Sequence, residues 1–149
     1  MRIGLFTGTF DPFTIGHQNI ALRALPLFDK LIIGVAMGKL KHANEEIAQR
    51  VAAIRNAFPN EERIEVVAYD DLTIDLARRT GAQCIVRGVR SAKDFEYERE
   101  QADINRQLGN VETLLLFAEP QYGSVSSTLV RELQFFGHDA REFLPQIEK

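Results

Sequence analysis

Four short stretches bring together residue types suited to holding an anion. The first, Gly8-Thr-Phe-Asp-Pro-Phe-Thr-Ile-Gly-His17, combines two glycines, a proline, two threonines and a histidine. Gly8 and Gly16 permit φ > 0 or the close approach of another group, and Pro12 fixes a turn. Thr14, Gly16 and His17 fall at a predicted helix start, where unpaired N–H groups and the helix dipole favour negative charge. The second stretch clusters Lys39, Lys41 and His42. The third, Arg87-Gly-Val-Arg90, offers two planar guanidiniums whose shape matches phosphate oxygens. Asp94, Glu96 and Glu98 follow closely enough to pair with them instead. The fourth, Ser126-Ser-Thr-Leu-Val-Arg131, sets three hydroxyls at another predicted helix start. One hydroxyl suffices for a cap, but a cap and an anion site use the same N–H groups, so the residues could serve either purpose.

Each stretch follows a short apolar run. Strands are predicted over 3–6, 30–37, 63–69, 83–88 and 111–118, with helices between them. Helical spacing puts Ile20, Leu22, Ala24 and Leu25 in the first helix. Ile47, Val51, Ile54 and Phe58 share one face of the second. Residues 72–80 form the third helix, with Asp71 as its cap and Gly81 as its stop. The fourth covers 94–108 and the fifth 126–136. Strands alternating with helices imply an α/β fold, a Rossmann-like doubly wound sandwich on a five-stranded parallel sheet. In such folds ligands bind beyond the carboxyl ends of the strands, where the four stretches fall.

The 149 residues are 45% hydrophobic, carry a formal net charge of −3 and show no linker or repeat, which implies one domain over 1–149. The acidic balance argues against a nucleic-acid partner, and no apolar run approaches the roughly 18 residues of a membrane span. Cys84, the one cysteine, cannot form an internal disulfide, fits a cytoplasmic address and reads as a small core residue. No GxxxxGK[ST] occurs and no GxGxxG follows the first strand, which disfavours a P-loop NTPase or a dinucleotide dehydrogenase.

Thr14-Ile-Gly-His17 and Ser126-Ser-Thr-Leu-Val-Arg131 resemble the T/HxGH and SSTxxR signatures of the nucleotidyltransferase superfamily. With Lys41 and the stretch from Arg87 to Glu98, the chain is similar to the bacterial phosphopantetheine adenylyltransferases over nearly its whole length. The resemblance implies transfer of the adenylyl group of Mg-ATP to 4′-phosphopantetheine, giving dephospho-coenzyme A and pyrophosphate in coenzyme A synthesis. It implies catalytic roles for His17, Lys41 and Arg90. ATP would meet Thr9, Phe10, His17, Gly88, Val89, Arg90, Glu98, Tyr122, Gly123, Ser124, Val125, Ser126, Ser127 and Thr128. Phosphopantetheine would meet Thr9, Lys41, Thr73, Arg87, Asn105 and Glu132. Magnesium arriving with ATP, coenzyme A as a possible inhibitor and a homohexamer are implied in the same way. The chain departs from the family at Phe6-Thr7, where Tyr-Pro is more usual, at Lys39-Leu40 in place of Pro-Ser, and at Thr73, where a larger apolar residue is common. These departures bear on the shape of the pantetheine pocket.

The residues suit that reaction class. An acceptor that is already an ionised phosphate monoester needs no strong base, and the chain has no Ser/His/Asp or Cys/His nucleophile set. Positioning and charge neutralisation remain the main requirements. Two rivals are a sister transferase with another acceptor and a non-catalytic nucleotide-binding domain.

Overall fold

The computed structural model describes residues 1–38 and 44–147. Its five strands are β1 (Ile3–Gly8), β2 (Lys30–Ala36), β3 (Ile64–Tyr69), β4 (Cys84–Val89) and β5 (Glu112–Phe117). The helices are α1 (Ile15–Ala24), α2 (Asn44–Asn56), α3 (Thr73–Thr80), α4 (Ala92–Gly109) and α5 (Ser127–Phe135). All strand pairings are parallel, in the order β3-β2-β1-β4-β5. The chain runs outward from β1 to β3, then crosses back to place β4 on the other side of β1. The crevice between β1 and β4 is thus the point where the winding reverses.

Alternation along the buried strands supplies two cores. Phe6, Ile33, Val66 and Val86 face α1 and α2, meeting Ile20, Ala24 and Ile54. Leu5, Ile32 and Ile85 point the other way, onto Leu76 and Ala77 of α3. α4 lies beside α3 and against β4 and β5. β1 and β2 are covered on both faces, the reason they read as unbroken apolar runs, whereas β3 exposes Glu65 and Ala68.

Two local expectations change. Asp71 does not cap α3: the N-cap is Leu72, whose N–H donates to the Asp75 carboxylate at 3.1 Å. Asp71 instead holds Arg79 through two bonds of 2.6 and 3.1 Å. The long, exposed arginine reaches back along the helix and takes the carboxylate that the first turn would use. Cys84, expected as a small core residue, is half-buried, its thiol pushed up by that burial. Gly81 ends α3 in the left-handed region at φ 76°, as its position implies.

Candidate active site

β1 ends at Gly8, and the loop that follows delivers His17 into the first turn of α1. Thr14 caps that helix. Its Oγ1 accepts from the His17 N–H at 3.3 Å, and its own N–H donates to His17 Nδ1 at 2.9 Å. This is a capping box with histidine where Glu or Gln is usual. Because Nδ1 accepts an amide hydrogen, the ring proton of the neutral imidazole lies on Nε2. Burial, then the charges of Arg87 and Arg90, lower the His17 pKa to about 4. At neutral pH the residue is an uncharged donor.

The rings of Phe10 and Phe13 pack on this imidazole, with centroids 5.1 and 5.3 Å away. The positive φ of the loop falls on Phe10, at 48°, and on neither Gly8 nor Gly16. Gly8 serves close approach instead, since a Cβ there would stand 2.9 Å from the Phe10 ring. The Asp11–Pro12 peptide is cis.

Arg87 emerges from β4 opposite the end of β1. Its Nε and Nη2 donate to the two carboxylate oxygens of Glu98 at 2.9 and 2.7 Å, and Nη1 donates to the Thr7 carbonyl. Glu98 is the one fully buried residue of α4, at 5% exposure. Arg90 lies 3.4 Å from Asp94. Both arginines therefore hold carboxylates that the sequence places within reach, and both also line the cleft.

The crevice holds two adjoining cavities. The first, of about 370 Å³, is lined by Thr9, Phe10, His17, Gly88, Val89, Arg90, Glu98, Tyr122, Val125 and Ser126 to Thr128. The second, of about 280 Å³, is lined by Thr9, Tyr69, Thr73, Arg87, Glu98 and Asn105. Thr7, Gly8, Thr9, Arg87, Tyr97 and Glu98 belong to both. The residues expected to meet ATP thus gather in one cavity, and Thr73 and Asn105 in the other. Gly123, Ser124 and Glu132 lie outside both cavities. Lys39, Leu40, Lys41 and His42 lie outside the described residues.

Each hydroxyl at the start of α5 has its own partner. Ser126 Oγ caps the helix by accepting from the Leu129 N–H at 3.0 Å. Ser127 Oγ donates to the Pro12 carbonyl at 2.7 Å, and Thr128 Oγ1 accepts from Arg131 at 3.2 Å. The excess over capping ties α5 to the loop after β1, with Ser126 to Thr128 in the wall of the first cavity. Tyr69, which sequence reasoning passed over, ends β3 and bonds Thr73 Oγ1 at 3.0 Å. Inspecting the last residue of each strand, and not only the loop beyond, would have found it. Thr113 Oγ1, also in the second cavity's wall, is buried with no protein partner among the described residues.

The cytidylyltransferase-like family model matches residues 5–133. A phosphopantetheine adenylyltransferase of Bacteroides thetaiotaomicron is 50% identical over 146 residues, covering 98% of this chain and 97% of that one. The enzyme of the same name from Phocaeicola vulgatus is 51% identical with the same coverage, and that from Streptococcus pneumoniae 43%, covering 97% and 91%. Among solved structures, a bifunctional NMN adenylyltransferase/ADP ribose pyrophosphatase from Francisella tularensis superposes with a TM-score of 0.71 at 15% identity. That match covers 99% of this chain and 46% of the bifunctional protein, and shows a shared fold. With near-full-length relatives at half identity and the paired cavities at the β1/β4 crevice, the chain belongs to the cytidylyltransferase-like family and, within it, to the phosphopantetheine adenylyltransferases.

Proposed function

We propose that residues 1–149 act as one nucleotidyltransferase unit that moves the adenylyl group of ATP onto 4′-phosphopantetheine, forming dephospho-coenzyme A and pyrophosphate. Family membership supports the reaction, and the observation that carries the residue roles is the meeting of two cavities at Thr9 and Arg87. An oxygen of the acceptor phosphate forms a bond to the α-phosphorus. The bond from that phosphorus to the bridging oxygen breaks, and pyrophosphate leaves with the electron pair.

Arg87 stands where the acceptor phosphate would meet the nucleotide. Nε and Nη2 reach Glu98, and Nη1 reaches the Thr7 carbonyl and, at 3.5 Å, the Thr7 hydroxyl, so the second Nη2 hydrogen is the donor left for the anion. Lys41 is its expected companion. His17 donates from Nε2 to the α-phosphoryl oxygens as charge builds on them, and its neutrality means that no proton need be lost to keep the bond. Arg90 and the N-terminal turn of α5 hold the departing phosphates.

Magnesium enters as Mg-ATP, neutralising phosphate charge and keeping mostly water ligands. In the cleft, Asp94 and Glu98 are paired with Arg90 and Arg87.

The same reading extends to assembly and regulation. Coenzyme A shares the pantetheine arm and an adenine nucleotide with the product, which supports product-like inhibition. Exposed Leu108, Phe117, Phe135 and Phe136 support a homohexamer that would cover them. A reducing cytoplasm suits the lone cysteine, and no helix among the described residues is long and apolar enough to cross a membrane.

Pyrophosphate release from Mg-ATP should be measured with 4′-phosphopantetheine, nicotinamide mononucleotide and glycerol 3-phosphate in parallel. Release with phosphopantetheine alone is expected. Release with another acceptor would move the chain to a sister activity, and ATP binding without release would mean that no catalysis remains.

A further inference from the structure

The loop after β1 is held from behind by groups with no part in the cavities. Arg50 of α2 donates Nη1 to the Thr9 carbonyl at 3.4 Å, and its Nη2 lies 3.4 Å from the Asp11 carboxylate. Its side chain is only 12% exposed. Arg131 of α5 donates Nη1 to the Asp11 carbonyl at 2.6 Å. These two carbonyls bracket Phe10, whose left-handed backbone is disfavoured for a bulky side chain. Such a conformation persists only where surrounding contacts over-determine it.

The Phe10 ring is buried and meets the His17 ring edge-on at 5.1 Å, while Phe13 stacks on the same imidazole at 5.3 Å. The Thr14 N–H beyond the loop fixes Nδ1. A change in the loop is therefore a change in the direction of Nε2. Neither Arg50 nor Arg131 lines either cavity of the crevice. Arg131 spends its other donor on Thr128 Oγ1.

We propose that Arg50 and Arg131 are positioning residues, which clamp residues 9–12 from two helices and so hold the His17 imidazole in the place the reaction needs. The proposal rests on the role given to His17 above. Arginine suits the task because its planar fork reaches a carbonyl and a second acceptor together, which a lysine ammonium does with less geometric restraint.

The test compares the full chain with Arg50→Gln, Arg50→Lys and Arg131→Gln by pyrophosphate release at saturating substrates, by KM for each substrate, and by 15N NMR of the His17 ring. The clamp predicts that kcat falls about tenfold or more in both glutamine variants, since displacement of a catalytic group by about 1 Å can cost up to about a hundredfold. Both KM values should stay within about twofold of wild type, the mark of an interaction felt in the transition state. The Nδ1 and Nε2 resonances should move toward the averaged position of a ring without its amide partner, and Arg50→Lys should recover part of both effects. Unchanged ring resonances with unchanged kcat would overturn the proposal. So would a raised KM for ATP or acceptor at full kcat, which would mark direct ligand contact. If Arg50→Gln does not fold, Arg50→Lys and Arg131→Gln decide the matter on the same readouts. The ring signals are read without substrate, so they remain informative if the wild-type chain uses a different acceptor.

Discussion

The first cavity is a place of charge and helix ends: His17, Arg90 and Asp94 line it, with the N-terminal turns of α1 and α5. The second, lined by Tyr69 and Thr73, offers hydroxyls and the amides of Gln101 and Asn105, and among the described residues its charged ones are Arg87 and Glu98 on the shared wall. Polyphosphate recognition needs fixed positive potential. A pantetheine arm, with two amides and a hydroxyl, needs hydrogen-bonding partners of no net charge, because an unpaired charge beside it would cost desolvation with nothing to offset it. With ATP in the first cavity and the acceptor in the second, as proposed above, both needs would be met on one sheet, the boundary between them falling at Arg87, which Glu98 already holds.

Three perturbations break or sharpen this division. The largest concerns the charged side: His17→Ala should lower pyrophosphate-release turnover by about 10²–10³, the usual effect of losing one preorganised donor to a developing oxyanion. Circular dichroism should stay close to wild type while the melting temperature falls modestly, because the capping-box bond to the Thr14 N–H is lost, and a folded variant with near-normal turnover would remove His17 from the chemistry.

Next in size is a pH effect on the same residue. The native ring has a pKa of about 4 against 6.5 for an unperturbed histidine. Between those values the unfolded chain takes up a proton that the native state refuses, so stability falls as pH drops from 6.5 to 4. The full loss is about 3 kcal/mol. Urea midpoints measured from pH 7 to pH 4.5 should decline accordingly. His17→Gln, which keeps the reciprocal bond of the capping box, should flatten the decline.

The smallest effect is on the neutral side. Thr73→Val deletes the partner of the Tyr69 hydroxyl and should raise the KM for phosphopantetheine roughly threefold to tenfold, the weight of one hydrogen bond. The KM for ATP should be unmoved. Equal changes in both constants would mean that the two cavities are not separate subsites.

Most of the secondary structure was legible because it rests on local periodicity. Ile47 and Ile54 are buried on one face of α2 with Val51 partly buried beside them, as their spacing implies, although α2 ends at Asn56 and Phe58 is buried just beyond it, and Gly81 stops α3 at the only kind of position where its φ is cheap. What was not legible depends on partners far apart in sequence. Ser127 reaches the Pro12 carbonyl across 115 positions, and Arg131 reaches Asp11 across 120. No spacing rule reports a bond to a remote carbonyl. Asp71 misled for the same reason on a shorter scale, because Arg79 competes for it from two turns along the helix. At Arg87 the sequence offered carboxylate pairing and phosphate binding as alternatives; the geometry shows the carboxylate pairing, on a guanidinium that also lines both cavities.

The strand order has a consequence for synthesis. β1 is made first and lies in the middle of the sheet, with β2 and β3 on one side and β4 on the other. A nascent chain that has emerged only to Thr80 holds the strands of the β3-β2-β1 half, and the β1 edge that pairs with Cys84–Val89 has no partner until those residues emerge. That edge, apolar and unprotected, is the sort that pairs with other chains. The crevice proposed to receive nucleotide is thus also a seam of the newborn chain, and β4 covers that edge in the act of building the crevice.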